Sequence, residues 1–272
     1  MKIDGGKNGE GVWHAIINQM PPHKVYIEAC LGSGAIIRRK RPAQYNYGIE
    51  KDPITFAAAK PSLTARPGAG LFLRHGDCFD LVPHLILSVY RDHPAHEKLI
   101  YFDPPYLKET RSQQRDLYRC EWGIDDHVRL LKLVTQLPAM VMLSGYYSKM
   151  YEHYLPPPVW RSVQFQATTR AGQRTEWLWC NFPEPVELHD YSCLGTDRTE
   201  RQRIKRKKER WKAKLEKMPM LERHAVLAAI QEWRHDRPEK SEMTTGPAPK
   251  SELTAGAGNR SQLQLRSSAG GL

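Results

Sequence analysis

The sequence predicts an α/β protein: a mostly parallel sheet with helices on both faces, a terminal antiparallel hairpin and a basic helical C-terminal appendage. Three observations carry this expectation. Short apolar runs at 25–29, 45–49, 71–75, 99–103 and 140–144 alternate with helical stretches. Residues 163–169 and 175–182 then alternate in polarity about a glycine-bearing turn, as a β-hairpin does. After Pro185 the composition turns basic and helical.

Taken in order, residues 11–20 read as an amphipathic helix, apolar at Val12, Ile16 and Ile17 and stopped by Pro21-Pro22. The first strand breaks at Leu31-Gly32-Ser33-Gly34 into a predicted helix through about Arg39. The second ends in Glu50-Lys51-Asp52 and leads to a helix around 54–60. The third closes on Gly76-Asp77-Cys78, residues 81–90 are helical, and the fourth strand runs into Asp103. Helices at 125–137 and 148–154 flank the strand at 140–144. Beyond the hairpin, 198–217 and 220–233 are helical with Met218-Pro219 between them. The division is therefore a catalytic-type domain at 1–196, a basic appendage at 197–237 and a Ser/Thr/Gly/Ala-rich tail at 238–272 expected to be disordered.

The 272 residues suffice for one large α/β domain with appendages, and no apolar run approaches the roughly 20 residues of a membrane helix. The first ten residues are polar and glycine-rich, unlike a signal peptide. Five cysteines, odd in number and never spaced as CxxC, argue against a disulfide framework or structural zinc and for a reducing cytoplasm. No metal is expected. The formal charge of +11 is uneven: residues 1–196 hold 23 Lys+Arg against 20 Asp+Glu, residues 197–240 hold 15 against 8. Such a segment suits a polyanion, most simply nucleic acid, or else a solvated, salt-bridged helix.

The fourth strand stops on Asp103-Pro104-Pro105-Tyr106. These residue types fit the activation of an exocyclic amino group on a nucleobase, whose lone pair is delocalised into the ring. The Asp103 carboxylate and the Pro104 carbonyl accept its hydrogens and draw the nitrogen towards tetrahedral geometry. The prolines fix φ and donate no backbone hydrogen, so the acceptors stay aimed. Tyr106 offers a ring against which an extruded base can stack. An ordinary strand-ending turn has the same composition.

Ligands of an open parallel sheet sit beyond the carboxyl ends of its strands. Gly32-Ser33-Gly34 lets a ligand approach the backbone at a helix N-terminus, or is a packing turn. Glu50 is placed to accept two ribose hydroxyls. Asp77 accepts from an adenine amino group or caps the next helix. The serial order of glycine loop, acid, acid and Asp-Pro-Pro-Tyr raises all four together.

Gly5-Gly6-Lys7, residues 25–36 (VYIEACLGSGAI), Gly76-Asp77, 100–111 (IYFDPPYLKETR), 143–151 (LSGYYSKMY) and 174–182 (RTEWLWCNF) together resemble the Dam-type DNA adenine methyltransferases, especially the compact phage and prophage forms. The resemblance spans roughly the first 185 residues. It implies the Rossmann-like S-adenosylmethionine-dependent methyltransferase fold, S-adenosyl-L-methionine as cofactor and adenine in double-stranded DNA as acceptor. It further implies that Lys7, Glu28, Gly32, Ser33, Gly34, Glu50 and Asp77 line the cofactor site, and that Asp103, Pro104, Pro105 and Tyr106 hold the target base. Two departures stand out. Ala29-Cys30 replaces the family's usual Pro-Phe, removing an aromatic contact to the cofactor. Only 25 residues lie between Asp77 and Asp103, so the recognition insert of larger relatives has no room there.

DNA must then be gripped elsewhere. Lys108, Arg111, Arg115 and Arg119, interleaved with Tyr118 and Trp122, directly follow the catalytic loop. Arg174, near the hairpin turn, faces the same groove or pairs with Glu176. Arg203, Arg206 and Lys207 in the basic helix suit phosphate contacts, which give affinity without sequence information, so weak or short-motif specificity is expected. Rival readings are an RNA or cytosine amino methyltransferase, a protein-glutamine methyltransferase, and a decayed scaffold that only binds DNA.

Overall fold

The computed structural model describes residues 7–64, 70–111, 116–169 and 172–236. Its strands are β1 (Val25–Ala29), β2 (Tyr45–Glu50), β3 (Leu71–His75), β4 (Lys98–Phe102), β5 (Met140–Gly145), β6 (Arg161–Thr169) and β7 (Gly172–Cys180). They form one sheet in the order β3-β2-β1-β4-β5-β7-β6. The first five run parallel, while β7 lies antiparallel between β5 and β6. The strand order reverses across β1 and β4, which sets Ala29 beside Phe102 and leaves a crevice beyond both carboxyl ends. This is the mostly parallel sheet with a terminal antiparallel hairpin that the sequence predicts, and it fits the Rossmann-like methyltransferase fold that the resemblance implies.

Strand alternation divides the core into two layers. Val25, Ile27, Ala29, Ile100, Phe102, Val141 and Leu143 pack towards α3 (Cys78–His84), α4 (Ile124–Val134) and α5 (Lys149–Tyr154). Tyr26, Leu99, Tyr101, Met142 and Leu178 face the other way, towards α1 (Val12–Ile17) and α2 (Pro53–Thr64). Because helices cover both faces, the central strands β1 and β4 are buried at every position.

The predicted helix after β1 is not regular. Residues 31–40 form a series of turns, in which the Ile37 N–H is spent on the buried Glu28 carboxylate at 2.6 Å instead of a backbone carbonyl. The helix expected at 81–90 starts earlier, at Cys78 as α3, and widens at Leu85–Val89, where the Tyr90 N–H reaches the Leu85 carbonyl, five residues back, at 2.8 Å.

The appendage consists of α6 (Arg198–Lys217) and α7 (Met220–Asp236). Asp197 caps α6 by accepting the Glu200 N–H at 2.8 Å, and no α6 side chain is buried. The helix is therefore held by capping and i,i+4 pairs such as Lys212–Glu216, not by a core. The tail at 238–272 lies outside the described residues. No helix among the described residues is long and apolar enough to cross a membrane.

Candidate active site

Asp103 stands one residue beyond β4, at the crevice. Its Oδ1 is 2.8 Å from the Lys7 ammonium, which is only 4% exposed. Lys7 also donates to the Tyr106 hydroxyl at 2.6 Å and lies 3.2 Å from Glu176 Oε2. Tyr106 in turn donates its hydroxyl hydrogen to Glu176 Oε2 at 2.9 Å. Burial alone would lower the Lys7 pKa, but Asp103 and Glu176 outweigh it and hold the amine well above its ordinary value. Burial raises the Asp103 carboxyl, with Lys7 partly offsetting the rise. A carboxylate offers about four lone-pair sites, so its bonds to Lys7 and the Tyr106 hydroxyl leave Asp103 with acceptor capacity.

Lys7 thus enters the site as a partner of Asp103, although the resemblance assigns it to the cofactor. Its neighbour Asn8 makes the second connection, donating to Ser33 Oγ at 3.2 Å. The N-terminal segment therefore spans from the Asp-Pro-Pro-Tyr turn to the glycine loop. Tyr106 is buried, edge-on to Tyr146 with ring centroids 4.8 Å apart, and its hydroxyl carries as much of the site as its ring. Glu176 was not among the sequence-predicted site residues. The signal was its register: Glu176, Leu178 and Cys180 share one face of β7, so a carboxylate sits in an inward, apolar position.

On the adjoining side, Gly32 and Gly34 adopt φ of +53° and +64°. A Cβ at Gly34 would come within 3.0 Å of Leu63, whereas at Gly32 it would project into open space. Glu50 closes the loop, accepting the Gly32 N–H at 2.8 Å and the Asp52 N–H at 2.9 Å. Asp77 caps α3 through the Phe79 N–H at 2.9 Å and pairs with Lys51 at 2.8 Å. Burial would raise its pKa, but these partners hold it below the ordinary carboxylate value. Glu50, Asp77, Cys30, Pro105, Cys120 and Trp122 wall one cleft.

These groups fit a nucleoside-type cofactor. Two carboxylates stand at the ends of β2 and β3, beside a glycine whose missing side chain leaves space. The cleft encloses about 50 Å³, far less than the roughly 300 Å³ of a small-molecule site. Cys30, at φ +61°, lines the cleft with its Sγ 3.9 Å from that of Cys78, where the family's aromatic residue would stand. Glu28 is placed differently from expectation. It is buried behind the glycine loop, bonded to the Tyr26 hydroxyl at 3.0 Å and to the Ile37 N–H, and it supports the loop instead of lining the cleft.

The basic residues after Tyr106 divide. Arg111 is only 8% exposed and makes two bonds to Glu121 at 2.9 and 2.8 Å, while also donating to the Tyr106 carbonyl. It latches the loop and does not face solvent, which corrects its expected role as a DNA contact. Glu121 also accepts the Leu117 and Tyr118 N–H groups, at 2.6 and 2.9 Å. Lys108 pairs with Asp116 at 2.5 Å, and Arg119 approaches Asp52 at 3.9 Å, both from partly exposed positions. Arg115 lies outside the described residues. Arg174 is half-buried on the same face of β7 as Glu176, but Glu176 turns to Lys7. Arg203, Arg206 and Lys207 project from α6, remote in sequence from the crevice, with Arg203 paired to Glu200 at 3.2 Å. Among the described residues no His/Cys/Asp/Glu group could hold a metal ion.

Two outcomes follow from this geometry. Burial raises the Glu28 pKa to about 8, outweighing its bonds to Tyr26 and Ile37. The unfolded chain releases this proton near 4.5 and the folded chain only near 8, so the wild type loses stability as pH rises between those values. Glu28→Gln should therefore gain in melting temperature relative to wild type from pH 5 to pH 8; a constant difference contradicts the assignment. Arg111→Ala should speed hydrogen exchange at the Leu117 and Tyr118 amides, which Glu121 holds; unchanged protection would show that Arg111 is not the latch.

No curated protein matches the sequence. Among solved structures, the chain is similar to a type I restriction-modification system methyltransferase subunit from Streptococcus thermophilus, at 10% identity over 76% of this chain and 53% of that one, with a TM-score of 0.43. It is also similar to an rRNA methylase from Streptococcus thermophilus, at 10% identity over 63% of this chain and 93% of that one, with a TM-score of 0.42. The O-methyltransferase TomG from Streptomyces achromogenes gives 14% identity over 62% of this chain and 77% of that one, with a TM-score of 0.40. Residues 88–166, which hold β4, the Asp-Pro-Pro-Tyr turn and β5, match the model of the D12 class N6 adenine-specific DNA methyltransferase family, as the sequence resemblance led us to expect.

Proposed function

We propose that the chain methylates the exocyclic amino nitrogen of adenine in double-stranded DNA, with S-adenosyl-L-methionine as methyl donor. The observation that carries this reading is the Asp103 carboxylate, fixed at the crevice by the buried Lys7 beside a cleft walled by Glu50 and Asp77. When bound, the cofactor supplies a methyl group on a sulfonium and departs as a neutral thioether.

The residues of the chain orient the acceptor. Asp103 and the Pro104 carbonyl accept the two amino hydrogens, which frees the nitrogen lone pair. Pro105 keeps the turn rigid, and the Tyr106–Tyr146 pair bounds the space where an extruded base would stand. The positive charge that leaves the sulfonium arrives on the nitrogen, and Asp103 then takes the surplus proton. No covalent enzyme intermediate is needed. Most of the rate comes from orientation and from acceptors that strengthen in the transition state. Glu50 and Asp77 would hold the ribose and adenine of the cofactor, and Lys51 holds Asp77 in its charged form.

DNA would meet the mouth of the crevice at Lys108, Arg119 and Arg174, while Arg203, Arg206 and Lys207 of α6 add phosphate contacts. Such contacts give affinity without reading bases, so we infer weak or short-motif specificity.

Asp103→Ala should abolish methyl transfer while S-adenosylmethionine binding, followed by calorimetry, stays near wild type; Asp103→Asn should be almost as damaging. Retained turnover would remove Asp103 from its role. Failure of the wild type to bind the cofactor would favour the decayed scaffold. The triple variant Arg203→Ala/Arg206→Ala/Lys207→Ala should weaken DNA binding similarly for all sequences. Its salt slope should become shallower by about 0.9 for each phosphate that the helix no longer neutralises. An unchanged slope would place the DNA elsewhere.

A further inference from the structure

The buried Lys7 ammonium faces two carboxylates, and methyl transfer as proposed above uses only one of them. Glu176 is 6% exposed, and its Oε2 takes both the Tyr106 hydroxyl and the Lys7 ammonium. With Asp103 and Glu176 both ionised, one ammonium offsets one carboxylate, and the cluster keeps one net negative charge. An isolated buried carboxylate is costly, so a position on the inward face of β7 calls for a physical reason.

We propose that Glu176 is a positioning residue for methyl transfer. It occupies Lys7 and the Tyr106 hydroxyl, so that Asp103 is steadied by the ammonium without being neutralised by it. Asp103 then keeps its acceptor capacity for the amino group, and the cluster keeps the negative charge that favours a nitrogen turning cationic. Without Glu176, the whole ammonium charge would fall on Asp103, which would become a weaker acceptor and a poorer home for the proton. The assignment rests on the methyl-transfer reading above and deepens it. Nothing in it requires Glu176 to touch substrate.

The pH dependence of turnover is the most telling readout. From β1 and its end, Tyr26, Glu28 and Cys30 act on the Asp103 charge; β4 adds Tyr101, and the following loop adds Tyr106 and Tyr118. Burial raises the pKa of each of these phenols and of Glu28, as it does, second to the hydrogen bond with Cys78, for the Cys30 thiol, so all six stay largely uncharged in mildly acidic solution. Lys7 stays charged throughout. The acid limb of kcat therefore reports the Asp103 carboxyl. The Glu176 charge raises the Asp103 pKa, so removing that charge must move the limb to lower pH.

The test compares kcat against pH for wild type, Glu176→Gln and Glu176→Asp, with unmethylated DNA and labelled S-adenosylmethionine, alongside cofactor binding and melting temperature. Glu176→Gln should lower the plateau kcat by about ten- to a hundredfold, shift the acid limb to lower pH and leave cofactor affinity unchanged. Glu176→Asp, which keeps the charge, should keep the limb at its wild-type position. A limb that stays in place in Glu176→Gln would overturn the proposal, whatever the melting temperatures, because a purely structural role alters stability and not the titration. Absence of transfer by the wild type itself would instead defeat the methyl-transfer reading on which the assignment stands.

Discussion

The burial of one ammonium group is the constraint on which this architecture turns. Lys7 lies seven residues from the start of the sequence and 99 residues before Tyr106, yet it is almost wholly removed from water. Removing one partner from a buried pair typically costs about 3–5 kcal/mol, so the ammonium needs all its oxygens in place. They come from the end of β4 and from β7. The N-terminal segment, the central strand and the antiparallel hairpin must therefore dock together, and the candidate site forms only when they do. Asn8, bonded to Ser33, ties the same segment to the glycine loop, and so joins the Asp-Pro-Pro-Tyr turn to that loop.

Much of this was legible in the sequence because it is encoded locally. Apolar runs of five or six residues bounded by Gly, Asp and Pro gave the strands of the parallel sheet close to their observed positions. The alternation of 163–169 against 175–182 gave the hairpin. The placement of Asp103, Glu50 and Asp77 at one edge of the sheet was legible because each follows or ends a strand, and strand ends converge in a parallel sheet. What escaped is what long-range pairing decides. The helix expected after Gly34 fails because Glu28, nine residues away, takes the Ile37 amide. Glu28 itself reads as a cofactor ligand by its place in the motif, yet the fold buries it behind the loop. Arg111 reads as a surface contact because arginine usually is one. Only the structure reveals Glu121 and the Tyr106 carbonyl waiting for it.

The same loop links the two halves of the proposed reaction. Arg111 grips the carbonyl of Tyr106 at one end, and Trp122, stacked on Phe79 with centroids 5.2 Å apart, walls the cleft of Glu50 and Asp77 at the other. No residue of α6 is buried, and most of its bases are exposed. In the proposed reading, its contribution is a field for polyanions, not geometry at the reacting atoms.

The most direct measurement is nucleoside analysis of unmethylated DNA, with RNA in parallel, after incubation with the protein and labelled S-adenosylmethionine. The account predicts label in DNA as N6-methyladenine and in no other base. Label on cytosine or confined to RNA, or folded protein that transfers no methyl group to any acceptor, would contradict it.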